Sequence, residues 1–218
     1  MIKAENIHKS YEELDVLRGV SLNIKEGEIV SIVGSSGAGK STLLQILGTL
    51  AQSDKGSLEI NGKTIDNLNA SHLSTFRNHE IGFIFQAHHL LPEFTALENV
   101  SLPRWIKGSS KKEAEIKATD LLNSLGLADR IHHKPMDLSG GEQQRVAVAR
   151  ALINNPSVVF ADEPSGNLDT TSAKALHELF FELRDKYNQT FVIVTHNREL
   201  AEMSDRMLEM KDGLIVNG

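Results

Sequence analysis

The chain has 218 residues, carries 23 Lys and Arg against 29 Asp and Glu for a net charge of −6, and contains no cysteine. That length fits one large domain, or one domain with a lobe, able to bury a core without covalent staples. Disulfides, thiolate nucleophiles and zinc–cysteine sites are excluded, the acidic balance argues against a nucleic-acid partner, and no apolar run approaches the ~18–20 residues that span a bilayer.

Residues 1–6 carry charges and lack the apolar stretch of a secretion signal. Residues 2–9 and 16–24 alternate well enough to predict antiparallel strands joined by a polar turn at Glu12 and Glu13. Residues 29–33 form a short apolar run ending at Gly34, the pattern of a buried parallel strand. A glycine-rich loop follows, then a helix over 42–50. Residues 57–60 with Asn61 and Gly62 predict a strand and a tight turn. Helices are expected over 71–79 and 111–125, the second with Ala114, Ala118, Leu121, Leu122 and Leu125 along one face; 99–108, which contains Pro103, receives no assignment. Residues 157–161 predict a second buried strand, 171–187 a helix, 190–195 a third buried strand, and 207–216 a hairpin around Asp212 and Gly213. Buried strands alternating with helices imply an α/β fold with a largely parallel sheet. No repeat or long linker divides the chain. We expect a single domain, with a core and N-terminal antiparallel β layer in 1–86 and 156–218 and a helical lobe in 87–155.

Gly34, Ser35, Ser36, Gly37, Ala38, Gly39, Lys40, Ser41 and Thr42 match the phosphate-loop pattern of glycine, four residues, then Gly-Lys-Ser/Thr. The loop follows a buried strand and opens a helix, as that pattern requires. Its glycines let backbone N–H groups turn around phosphate oxygens, and the helix N-terminus adds about half a positive charge. Lys40 is expected to reach the β- and γ-phosphates of ATP, and Ser41 to ligate magnesium. Asp162 and Glu163 follow the apolar run 158–161, at the strand end where open α/β sheets hold ligands. Asp162 is expected to hold magnesium, directly or through water, and Glu163 to polarise the attacking water.

Leu138, Ser139, Gly140, Gly141 and Glu142 precede another helix, with Ser139 as N-cap and Glu142 three residues later as in a capping box. A serine hydroxyl, glycine N–H groups and a helix N-terminus also make a second anion site. Two phosphate-binding ends in one chain are explained if the second serves the ATP of a partner.

Phosphate loop, Leu-Ser-Gly-Gly-Glu segment and Asp-Glu strand, in this order and spacing, resemble the ATP-binding cassette (ABC) ATPases over essentially the whole chain. The resemblance implies an ABC nucleotide-binding domain with a phosphate-loop parallel-sheet core, an antiparallel β subdomain and a helical subdomain, working as a head-to-tail dimer around ATP. It further implies that Tyr11 stacks on adenine, that Gln86 touches magnesium and water, that the 165–169 loop ending at Asp169 crosses the dimer interface, and that His196 contacts the γ-phosphate. Residues 85–100 most resemble the ATPases of bacterial lipoprotein-releasing complexes, as do Ser165 to Asp169 and Thr195 to Ala201, although those relatives more often have threonine at the position of Ser165. This implies transmembrane permease partners and a peripheral place on the cytoplasmic face of the bacterial inner membrane. Sister members of the clade that serve macrolide or peptide efflux and cell division share most of these motifs.

A repair or translation ABC protein is disfavoured, because no sustained heptads lie between Lys40 and Ser139 and only one cassette is present. An inactive binding module is disfavoured by the intact Lys40, Glu163 and His196. With few residues after Gly213, no C-terminal regulatory domain is expected. His88 and His89 are adjacent in a loop, poor geometry for chelating a metal. Leu90, Leu91, Phe94 and Leu97 cluster just after Gln86, so a groove bordered by 86–105 is expected to receive a cytoplasmic helix of a membrane partner.

Overall fold

The structure, a computed structural model, describes residues 1–217. Strands β1 (Ile2–Tyr11) and β2 (Leu14–Ile24) pair antiparallel, with Tyr11 opposite Leu14. They join β4 (Lys55–Ile60) and the two-residue β5 (Lys63–Thr64) in a four-stranded sheet ordered β2-β1-β4-β5. The second sheet has six strands ordered β10-β9-β3-β8-β7-β6. Its members are β3 (Ile29–Gly34), β6 (Ile81–Phe85), β7 (Val158–Asp162), β8 (Thr190–Val194), β9 (Arg206–Lys211) and β10 (Leu214–Asn217). All pair in parallel except β10, which closes the edge as the antiparallel arm of the terminal hairpin.

The three expected buried strands are those whose two faces are both covered. In β7, Val158 and Phe160 point into one core and Val159 and Ala161 into the other; Val192 and Val194 against Phe191 and Ile193 do the same in β8. A strand packed on both sides has no polar face to alternate, so it appears in sequence as an unbroken apolar run. The first core lies between this sheet, the antiparallel sheet and helix α1 (Lys40–Leu47). The second lies under α3 (Ala96–Ile106), α4 (Lys111–Ser124), α5 (Gly140–Leu152) and α6 (Thr170–Tyr187). Phe160, Phe180 and Phe191 are fully buried anchors, each stabilising the fold by roughly 1.5–3 kcal/mol.

Some boundaries differ from expectation. Helix α1 starts at Lys40 because Gly39, at φ 98°, turns the loop directly into it, and it stops at Leu47 because Gly48 caps it and Thr49 turns left-handed at φ 62°. The unassigned 99–108 stretch is most of α3. Pro103 lies inside that helix and removes one N–H from its ladder. The helix forms nonetheless from a capping box, with Thr95 N–H donating to Glu98 at 2.8 Å and Glu98 N–H donating to the Thr95 hydroxyl at 3.2 Å. Helix α2 (Ala70–Glu80) begins at an Asn69 cap, and the short α7 (Arg198–Met203), also unassigned, begins at an Asn197 cap.

Parallel pairing fixes where the functional candidates meet. Phe85 is in register with Asp162, and Asp162 with Val194. The residues just beyond them, Gln86, Glu163 and Thr195–His196, therefore share one edge of the sheet with the loop that leaves β3 at Gly34.

Candidate active site

The phosphate loop is shaped by left-handed glycines. Gly34, Gly37 and Gly39 have φ of 151°, 79° and 98°. A Cβ on Gly34 would stand 2.2 Å from the Met210 carbonyl oxygen, and one on Gly39 2.9 Å from Leu17 and the Val16 carbonyl. At Gly37 it would meet nothing within 4 Å, because that residue faces open space. Lys40 donates to the carbonyls of Gly34 and Ser35, both at 2.9 Å. Among the described residues no carboxylate pairs with its ammonium. The charge is held in the mouth of the loop, available to an anion.

Ser41, in the first turn of α1, donates to Asp162 at 3.1 Å. Burial pushes the Asp162 carboxyl above its ordinary range, the Ser41 hydroxyl opposes this, and the neighbouring Glu163 adds to it. A hydroxyl and a partly buried carboxylate are a hard-oxygen donor set suited to magnesium. Glu163 sits at φ 48°, a left-handed value uncommon for a non-glycine residue. Its carboxylate lies 2.7 Å from His196 Nδ1 and accepts from the His196 backbone N–H at 3.3 Å. Lys40, Ser41, Glu163 and His196 line one cleft of about 590 Å³, whose far wall is Leu14 and Val16 at the start of β2.

Tyr11, Gln86, Asp169 and Ser139 are not among the residues that line this cleft. Tyr11 is at the end of β1, half exposed, with the Lys9 ammonium 5.4 Å from its ring centre. Gln86 follows β6 and donates to Asn167 Oδ1 at 3.0 Å, and Asn167 donates back to the Gln86 carbonyl at 3.1 Å. Asp169 caps α6, accepting from Thr171 N–H and Ser172 N–H at 3.0 Å each. Ser139 caps α5 in a capping box with Glu142. That carboxyl is held down to about 2 by the Ser139 backbone N–H and then by Arg130, 2.9 Å away. Gly140 and Gly141 lie beside Leu168 and Ser172, next to the 165–169 loop.

A second hollow, of about 450 Å³, opens where Gln86 leaves the sheet. Phe85, His89, Leu102, Pro103 and Ile106 line it, with further walls from Arg77 and Asn78 on α2 and from Arg150 on α5. The apolar cluster expected to form the groove divides differently. Leu90 and Leu97 pack against the helical core, whereas Leu91 is 43% exposed. Sequence reading missed the α2 and α5 walls because they come from other parts of the chain. His88 and His89 both take positive φ, and Arg150 donates to their carbonyls at 2.7 and 2.6 Å. Among the described residues no group of three His, Cys, Asp or Glu could hold a metal ion.

The ABC transporter family matches residues 17–166. The chain belongs to that family. It is 60% identical over 216 residues to the lipoprotein-releasing system ATP-binding protein LolD of Cytophaga hutchinsonii, covering 99% of each chain. It is 59% identical over 215 residues to the protein of that name from Bacteroides thetaiotaomicron, again over 99% of each. Among solved structures, the dimeric bacterial ABC transporter cassette MJ0796 superposes with a TM-score of 0.91 at 42% identity, covering 100% of this chain and 97% of that one. The same cassette in a dimeric post-hydrolysis state bound to ADP and phosphate gives 0.90 at 40% identity. As an ABC cassette the chain is an ATPase whose substrate is ATP with magnesium.

Proposed function

We propose that the chain is the ATP-hydrolysing subunit of a bacterial lipoprotein-releasing transporter, docked on transmembrane permease subunits at the cytoplasmic face of the inner membrane. The observation that carries the cargo is 60% identity along nearly the whole chain to a lipoprotein-releasing ATPase. A macrolide, peptide or cell-division role is the competing reading. Among the described residues no helix is long and apolar enough to cross a membrane.

In this reading the loop N–H groups and Lys40 bind the ATP phosphates. Ser41, Asp162 and Gln86 would hold magnesium, which would supply positive charge to neutralise the phosphates. Glu163 takes a proton from the attacking water while His196 holds that carboxylate in place and faces the γ-phosphate. The support for Glu163 is its carboxylate, bound by His196 through both ring and backbone at the mouth of the cleft. Tyr11 stacks on the adenine. Two copies pair head to tail, so that Ser139, Gly140 and Gly141 of each close over the ATP of the other, with Asp169 and its loop at the interface. Residues 87–155 act as the lobe that carries this second phosphate-binding end, and the hollow beside Phe85 and Ile106 receives a permease helix.

The test is depletion of the chain in its own host, followed by fractionation of inner and outer membranes. Outer-membrane lipoproteins should accumulate in the inner membrane. Normal lipoprotein distribution, with a defect confined to drug or peptide export, would overturn the assignment in favour of the competing reading.

A further inference from the structure

We infer that Asn167 is a positioning residue for Gln86: it fixes which end of the Gln86 amide is free to meet the metal. The inference rests on the proposed role of Gln86 as a magnesium contact and deepens it.

The hydrogen-bonding capacities of the groups leave little choice. The Gln86 backbone carbonyl can only accept, so the Asn167 atom 3.1 Å from it must be the donor Nδ2. Oδ1 is thereby turned to the Gln86 side chain. It too can only accept, so it must be met by the donor Nε2, 3.0 Å away. Backbone and side chain of Gln86 are clasped by one asparagine. The remaining polar atom, Gln86 Oε1, is left as the free end. A hard cation is ligated by oxygen and never by an amide NH₂. Without the clasp the Gln86 amide can turn over and offer its NH₂, which repels the ion.

A separate observation shows how close the two segments stand. A Cβ on Gly166 would come within 2.7 Å of Gln86 Nε2 and 3.0 Å of its Cδ. The loop carrying Asn167 is itself fixed where it follows β7. Pro164 accepts from Gln144 of α5 at 2.7 Å, and the Ser165 hydroxyl lies 3.1 Å from the buried His177 ring. The loop is a stiff platform on which Gln86 is set, and the glycine lets the amide lie against it. Asn167 is exposed, so substitutions there leave the core untouched.

The experiment reads metal affinity rather than turnover. Mn²⁺ binding is titrated by electron paramagnetic resonance in the presence of ATP, in the Glu163→Gln chain to prevent hydrolysis. Asn167→Ala, which removes both bonds, and Asn167→Asp, which keeps the acceptor but sets a carboxylate against the Gln86 carbonyl, should each weaken Mn²⁺ binding about 10-fold or more, the usual effect of losing a group that orients a ligand. Gly166→Ala, which displaces the amide without changing any hydrogen-bonding group, should do the same. The decisive arm repeats Asn167→Ala in a Gln86→Ala background, where it should have no further effect. If Gln86→Ala weakens Mn²⁺ binding and Asn167→Ala does not, or if Asn167→Ala still costs affinity once Gln86 is gone, the positioning role is wrong. If Gln86→Ala itself changes nothing, the assignment of Gln86 as a metal contact fails, and the positioning role fails with it.

Discussion

Replacing Glu163 with glutamine isolates the role of one charge. The glutamine side chain has the same length, keeps an oxygen able to accept from the His196 N–H now 3.3 Å away, and makes the same demand on the left-handed backbone at φ 48°. What it loses is the ability to take a proton from water. Proton transfer by a positioned side chain contributes about 10²–10⁴-fold, which at 1.36 kcal/mol per tenfold is about 3–5 kcal/mol of barrier. ATP binding should change little, because Lys40 and the loop N–H groups that meet the phosphates do not touch Glu163. Single-turnover phosphate release, with the chain in excess over ATP, measures the chemical step; an equilibrium ATP titration measures binding. Hydrolysis within about tenfold of the unaltered chain would refute the base assignment. An equally large loss of ATP binding would refute it too, by showing that the carboxylate holds the loop together instead.

Lys40→Ala should act on the other quantity, weakening ATP binding itself because the ammonium held on the Gly34 and Ser35 carbonyls is removed; isothermal titration checks this. Light scattering should find the Glu163→Gln chain monomeric without nucleotide and dimeric with ATP, and a tight nucleotide-free dimer contradicts head-to-tail closure. Ile106→Glu puts a charge on a side chain that lines the hollow and is 73% exposed, so it should abolish co-purification with the permease while basal hydrolysis stays near normal. Glu142 makes stability depend on acid. Its carboxyl is lowered from an ordinary 4.5 to about 2, so its contribution is complete above about pH 4.5 and is lost as pH falls toward 2. The difference in melting temperature between the native chain and Glu142→Gln should shrink across that window, and a pH-independent difference would exclude the mechanism.

Sequence alone reveals those parts of the molecule whose cause is local. The strands at Ile29–Gly34 and Val158–Asp162 are legible because burial on both faces leaves an unbroken apolar run. The phosphate loop is legible because its glycines take backbone angles other residues resist. The cap of α5 is legible because Ser139 and Glu142 are three residues apart. Helix α3 was hidden by Pro103, although Thr95 and Glu98 carried the same capping signal and could have located it. Strand β6 is five residues with a glycine at its second position, and it is settled by pairing with β7, which lies far along the chain. The terminal hairpin was legible but its place was not, since β9 adds to the parallel sheet beside β3. The Gln86–Asn167 clasp spans 81 positions and leaves no pattern in either segment.

The 139–141 helix start lies against Leu168 and Ser172, while Lys40 lies in the cleft with Glu163 and His196. If the proposed head-to-tail pairing holds, one gene encodes both halves of a lock whose matching halves lie on different polypeptides. This has a consequence for inheritance. An allele defective only in the phosphate loop still donates a sound Ser139 end to a normal chain, and an allele defective only at Ser139 still donates a sound loop. Co-expressed, two such alleles rebuild one complete nucleotide site and leave the other doubly damaged. Complementation between them would reveal whether a single working site suffices to drive transport. Each allele expressed beside the normal gene should act as a dominant poison only if one working site does not suffice, because a mixed pair keeps one sound site and one damaged one.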